Sequence, residues 1–307
     1  MKMDEIPESE KRALKFLEKH KDSVSKITYF LYAILIVVGV MGIFIFVLDI
    51  NENFLSEKNI DGKDTGFSSE EESGANDCNV AGINLHGTLL TYVPEHNESD
   101  TFFDYDVTSS ESIVNLISAI NIDENIKAIV VEVDSGGGSP VAGEEIANAI
   151  KNSEKPVVAF IRSLGASASY WSISSADRIF ASKNSDVGSI GVTMSYLNNV
   201  SKNNKDGYAY EQLNAGKYKD AGNPDRALTV EEKALFLRDI NIVYKNFMEA
   251  VSENRNIPYS EVKKIADGST VLGERAKELG LVDEIGGINE VEKYLEDTIG
   301  VKPDICW

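Results

Sequence analysis

Residues 127–161 read KAIVVEVDSGGGSPVAGEEIANAIKNSEKPVVAFI. The β-branched run KAIVVEV predicts a strand, DSGGGSP a glycine-rich turn, residues 141–151 a helix, and PVVAFI a second strand. Working outward, VAGINLHGTLL at 80–90 predicts an earlier strand with a turn glycine, and ESIVNLISAI at 111–120 has helical spacing. Downstream, a helix is expected from about Ser167 to Ser175 and a strand at RIFA, 178–181. A long amphipathic helix then opens at Thr229, a residue type that caps helix N-termini. Strands alternating with helices imply a mostly parallel sheet layered by helices, so the fold class is α/β; no internal repeat is visible.

The chain has 307 residues, 42% of them apolar and 26% charged, which is enough to build a core. Thirty Lys and Arg against fifty Asp and Glu give a formal charge of -20, which repels an extended phosphate backbone, so no nucleic-acid partner is expected. Residues 27–48 carry no charge over 22 positions; at 1.5 Å per residue they reach about 33 Å, the thickness of a bilayer's hydrocarbon core. The run is too long for a signal-peptide core and continues into VLDINEN, so it reads as a retained transmembrane anchor. Residues 1–26 hold seven Lys or Arg, whereas 49–75 hold two among eight acids. The positive-inside rule then places the N-terminus in the cytoplasm and the rest outside it, as a single-pass protein of the cytoplasmic membrane. The expected organisation is a cytoplasmic segment 1–26, an anchor 27–48, an acidic linker 49–78, an extracytoplasmic domain 79–300 and a tail 301–307. The two cysteines, Cys78 and Cys306, flank that domain. An oxidising compartment lets them pair, but the sequence does not separate a disulfide from two unrelated thiols.

In open parallel sheets the reactive loops gather at the C-terminal ends of strands. Two such loops stand out, DSGGG at 134–138 and SLGASAS at 163–169. The glycines let backbone amides turn toward an anion, as an oxyanion hole requires. The lysine and hydroxyl of a P-loop are missing after the glycines, so a nucleotide site is excluded. The second loop offers Ser163, Ser167 and Ser169 as nucleophiles. Only three histidines occur: His20 lies before the anchor, His96 in a polar run and His86 in the first strand, and nothing nominates any as a base. Ser-Lys dyads are the histidine-free version of this chemistry, provided the lysine is neutral at working pH. Lys217 and Lys219, in LNAGKYKDAGNPDR, sit among small residues and share a face if that segment is extended; composition does not separate them.

Five elements occur in order: VDSGGG, GASASYWSISSADRIFA, VGSIGV, GKYKDAGNPDR and DGSTVLGERAKELGLVDEIGG. Together they resemble the signal peptide peptidase A family of membrane-bound serine peptidases over residues 80–290. That resemblance implies a crotonase-like and Clp-protease-like fold. It implies that Ser167 is the nucleophile and Lys219, directly before Asp220, the general base, with the Gly137 loop and the Ala168 amide binding the oxyanion. It also implies peptide substrates such as signal-peptide remnants, no metal or organic cofactor, and a homo-oligomeric ring in which neighbouring subunits supply Ser and Lys. The chain departs from the family pattern in reading D-S-G-G-G for N-S-P-G-G, Ala168-Ser169 for Gly-Gly, Trp171 for Tyr, and Lys183 where proline is common. Two alternatives remain at this stage: a crotonase-type acyl-CoA enzyme, and a non-catalytic membrane scaffold of the same fold.

Overall fold

The computed structural model describes residues 78–93 and 106–307. The expected anchor, the segment before it, His96 and nearly all of the linker lie outside the described residues. Among the described residues no helix is long and apolar enough to cross a membrane.

Three long strands run parallel at the centre of the sheet: β1 (Val80–Leu90), β3 (Ala128–Gly138) and β4 (Val157–Ala166). The short strands β2 (Val107–Ser109), β5 (Arg178–Ala181) and β8 (Glu284–Ile285) extend it to the order β2-β1-β3-β4-β5-β8. Parallel neighbours need a crossover, and the helices α1 (Ser110–Ile122) and α2 (Pro140–Lys151) lie between the strands in sequence as expected. Past residue 161, β4 leaves β5 and pairs instead with β6 (Asp186–Gly188). β6 in turn pairs with β7 (Thr270–Leu272), the one antiparallel ladder of the sheet among the described residues. That branch flanks the chain where it turns into α3 (Ala168–Ile173).

The period-2 pleat of β3 divides the core. Ile129, Val131 and Val133 join Ile83, Leu85, Ile146 and Ile161 on one face. Ala128 and Val130 join Val158, Phe160 and Phe180 on the other, beneath Val291 and Leu295 of α8 (Ile288–Ile299). Burial on both faces explains why these strands read as continuous β-branched runs instead of alternating ones. The remaining helices are α4 (Val200–Lys205), α5 (Val230–Asn254), α6 (Tyr259–Ile265) and α7 (Gly273–Glu278). Thr229 caps α5 as the sequence predicts, within a capping box: its hydroxyl accepts from the Glu232 amide, and the Glu232 carboxylate accepts from the Thr229 amide. Only the second half of α5 is anchored in the core, through Phe247, Met248 and Val251.

Residues 301–307, expected to trail from the domain, instead supply β9 (Ile305–Cys306), which pairs with the start of β1. Cys78 and Cys306 are joined in a disulfide, with Cα atoms 5.8 Å apart. The bridge closes a loop of 228 residues, and loop entropy alone assigns it about 5 kcal/mol in the unfolded-state model, with measured values commonly nearer 2–4 kcal/mol. Cys78→Ser is therefore expected to lower the denaturation midpoint of the oxidised protein and to abolish its sensitivity to reductant. An unchanged midpoint would show that β9 holds without the bridge.

Candidate active site

Ser167 occupies the turn between β4 and α3 with φ 57° and ψ -128°. A non-glycine residue held there stores roughly 1–3 kcal/mol of strain, which persists only where surrounding contacts enforce it. They do so here: the Ser167 amide donates to the Gly188 carbonyl at 2.8 Å, and its carbonyl accepts from the Trp171 amide at 2.9 Å. The main chain is thus pinned on both sides, while the hydroxyl makes no capping bond. It opens into a cleft of about 650 Å³.

The glycine loop meets this turn backbone to backbone. Gly137 has φ 94°, and a Cβ there would stand 2.7 Å from the Ala168 nitrogen and 2.9 Å from Ser167 Cβ, so no other residue fits. The structure thereby brings together three of the four residues expected at the site: Ser167, Ala168 and Gly137. Gly137 is buried and its amide donates to Ser135 Oγ at 3.1 Å, whereas Gly138 is the loop residue that lines the cleft. Ser135 Oγ in turn donates to the Gly87 carbonyl at 2.6 Å.

The three serines of the second loop have different surroundings. Ser163 is exposed and borders a separate shallow opening beside Arg162. Ser169 is fully buried; its hydroxyl accepts from the Ala166 amide at 2.9 Å and shares its proton between the carbonyls of Ser135, at 2.7 Å, and Ala166, at 2.8 Å. The Ser169 side chain therefore staples the turn to the glycine loop, which gives a physical role to the serine that replaces glycine. Ser167 alone of the three faces the cleft. Trp171 forms part of the lining and stacks on Phe247 of α5 at 4.9 Å with 5° between the rings, which accounts for an indole at this position. Val243, Tyr244 and Ile240 continue the apolar wall, and Ser189, Asp267 and Gly268 form a polar part of the lining.

Histidine is absent from this cleft among the described residues. His86 lies on β1 with Nε2 3.2 Å from a Glu132 carboxylate oxygen, which also takes a bond from Arg162. Lys219 is exposed and does not line the cleft of its own chain. Its segment forms turns and not an extended strand, so the condition for a shared face with Lys217 is not met. The two lysines differ in another respect. Lys217 Nζ lies over the Tyr218 ring at 5.0 Å, and the neighbouring phenol holds its ammonium above the ordinary lysine range, the wrong direction for a base.

Sequence reading missed what holds the Lys219 turn. Arg226 donates through Nε to the Asp220 carboxylate at 2.9 Å and through its fork to both oxygens of Glu232, at 2.5 and 2.9 Å. Glu232 is buried, and the Arg226 guanidinium, with the Thr229 amide, depresses its carboxyl to about 2. The pattern T-x-x-E at 229–232 was the available signal, since it marks a capping box, but it does not announce an arginine partner.

The model of peptidase family S49 matches residues 149–302, half of the chain, and takes in both Ser167 and Lys219. A Methanocaldococcus jannaschii protein that carries a protease name is 36% identical over 214 residues, 69% of this chain and 69% of that protein. The chain belongs to peptidase family S49. Among other S49-like relatives, protease 4 of Haemophilus influenzae is 31% identical over 73% of this chain, which spans only 35% of that longer protein. A signal peptide peptidase SppA of Enterococcus faecium is 29% identical over 74% of this chain and 64% of its own length. Among solved structures, a ClpP1 mutant from Listeria monocytogenes is similar with TM-score 0.42 and 16% identity, over 67% of this chain and 91% of that one. Membership in S49 makes the chain a peptidase and sets the acyl-CoA reading aside.

Proposed function

We propose that the chain is a membrane-anchored serine endopeptidase in which Ser167 attacks the peptide carbonyl and Lys219 of a neighbouring subunit takes its proton. The observation that carries this reading is Ser167 itself, a strained serine whose hydroxyl makes no capping bond, set at a cleft against a glycine loop. Neutral lysine deprotonates the hydroxyl, the alkoxide adds to the carbonyl, and backbone amides at Ala168 and the Gly137 loop hold the oxyanion. Collapse of that intermediate expels the amine and leaves an acyl-enzyme, which water hydrolyses. In the described chain the Gly137 amide rests on Ser135 Oγ, so binding the oxyanion requires it to turn from that acceptor.

Supply of Lys219 by a second copy is supported by its exposure and by exposed apolar side chains in the preceding part of the chain. Leu197 is 87% exposed, Tyr208 71% and Leu213 95%, a distribution suited to cover by another subunit of a ring. The anchor at 27–48 would hold such an assembly at the extracytoplasmic membrane surface, where released signal peptides and other unfolded peptides are its natural substrates. A crotonase-like or Clp-protease-like description of the fold agrees with the sheet and the glycine loop. The pH dependence of hydrolysis tests the base. Neutral lysine is the active form, so activity should rise toward alkaline pH through one ionisation. A rise centred near 6.5, the ordinary imidazole value, would return the role to a histidine.

A further inference from the structure

The residue directly after Lys219 poses an electrostatic difficulty. Asp220 is a carboxylate next in sequence to the lysine that must lose its proton, and in general an anion within about 4–6 Å of an ammonium stabilises the charged form. The carboxylate is not left to the lysine, however. Arg226 Nε donates to Asp220 Oδ2 at 2.9 Å and Arg226 Nη2 to the Asp220 carbonyl at 2.7 Å, gripping both the side chain and the main chain of the turn. Asn223 Nδ2 donates to Oδ1 at 3.0 Å and the Tyr210 hydroxyl to Oδ2 at 3.0 Å. The same guanidinium reaches Glu232 with its other edge, fixing the turn to the N-terminal end of α5.

We propose that Arg226 is a positioning residue for catalysis: it takes up the charge of Asp220 and ties the turn to Glu232, so that Lys219 is presented in place and without a competing carboxylate. The proposal rests on the reading of Lys219 as the base. The Arg226 side chain is only 17% exposed, against 20% for Asp220 and 4% for Glu232, so the pairings are shielded and not the loose contacts of a surface ion pair. The direction of the Asp220 carboxyl agrees, since the Arg226 hydrogen bond holds it below the ordinary aspartate range. The other charged or titratable groups around the turn are few. Lys217 is engaged with Tyr218 and feels Glu231 of α5, and Asp225 is turned toward the amides of Asn199 and Asn203 near α4. Glu232 shares its charge between Arg226 and the Thr229 amide.

The test compares pH–rate profiles of the full-length protein as wild type, Arg226→Gln, Arg226→Lys, Asp220→Asn and the Arg226→Gln/Asp220→Asn double variant, with thermal melts of each. Releasing Asp220 in Arg226→Gln is expected to move the rising limb about one unit toward alkaline pH, an activity loss near neutrality of about tenfold that recovers at high pH. Removing the carboxylate as well should bring the limb back, Asp220→Asn alone should not raise it, and Arg226→Lys should fall between. A merely structural arginine would lower activity at every pH, leave the limb in place and gain nothing from the second substitution; that result overturns the proposal. Should Arg226→Gln fail to fold, the limb in Arg226→Lys decides: unmoved, with Asp220→Asn also unmoved, it refutes the electrostatic role. Lys219→Ala run alongside separates the two readings. Retained hydrolysis there refutes lysine as base, whereas loss of hydrolysis there with an unmoved limb in the arginine variants refutes only the role of Arg226.

Discussion

Ser167→Ala is expected to abolish peptide hydrolysis, lowering kcat by about 10⁴-fold or more, while leaving the fold and its thermal midpoint unchanged. The size follows from the role: without a nucleophile no acyl-enzyme forms, and the residual rate is what oxyanion stabilisation and binding alone provide. The neutrality toward folding follows from the surroundings. Ser167 is half-buried and its hydroxyl makes no capping bond, and what fixes the turn is the main chain on either side. Ser169→Ala makes the instructive contrast. It leaves the buried Ala166 amide without its acceptor, which costs about 1–3 kcal/mol, and it loosens the turn from the glycine loop. A Ser167→Ala protein that still turned over peptide at more than a few per cent of wild type would require a different nucleophile.

Lys219→Ala is expected to produce a loss of similar size, about 10³-fold or more, again without a change in stability because the side chain is exposed. Its more informative use is in mixtures. If Ser and Lys of one site come from adjacent subunits, a Ser167→Ala chain still offers its lysine and a Lys219→Ala chain still offers its serine. Co-assembled in equal amounts around a head-to-tail ring, the two inactive proteins should restore about a quarter of the sites. If each site is built within one chain, the mixture stays as inactive as its components. That outcome would also demand a rearrangement, since the Lys219 turn lies outside the cleft of its own chain.

The sequence disclosed the layered α/β core because its signals were local and mutually consistent. The β-branched runs that became β3 and β4 are buried on both faces, and Thr229 capped the helix it was expected to cap. The two loops were legible as well, as a glycine loop and a small-residue run at the ends of strands, whereas the choice of Ser167 and its partnership with Gly137 came from the family resemblance. What was not legible depended on contacts far apart in sequence. The Ser169 hydroxyl reaches Ser135 across 34 positions, and β9 with its disulfide closes on β1 across 228. The sequence left open whether the lysine segment is extended; it forms turns, organised by Arg226 and Glu232, whose contacts the spacing of the lysines does not announce. Trp171 was visible as a departure from the family pattern, but its reason, the face of Phe247 some 76 positions later, exists only in three dimensions.

The most direct test of the central claim is to treat the active protein with a serine-acylating inhibitor and map the adduct by mass spectrometry of the digested chain. One adduct per inactivated site is predicted, on Ser167, absent from Ser167→Ala and formed far more slowly in Lys219→Ala. An adduct on Ser169 or Ser189 that tracked the loss of activity would contradict the account.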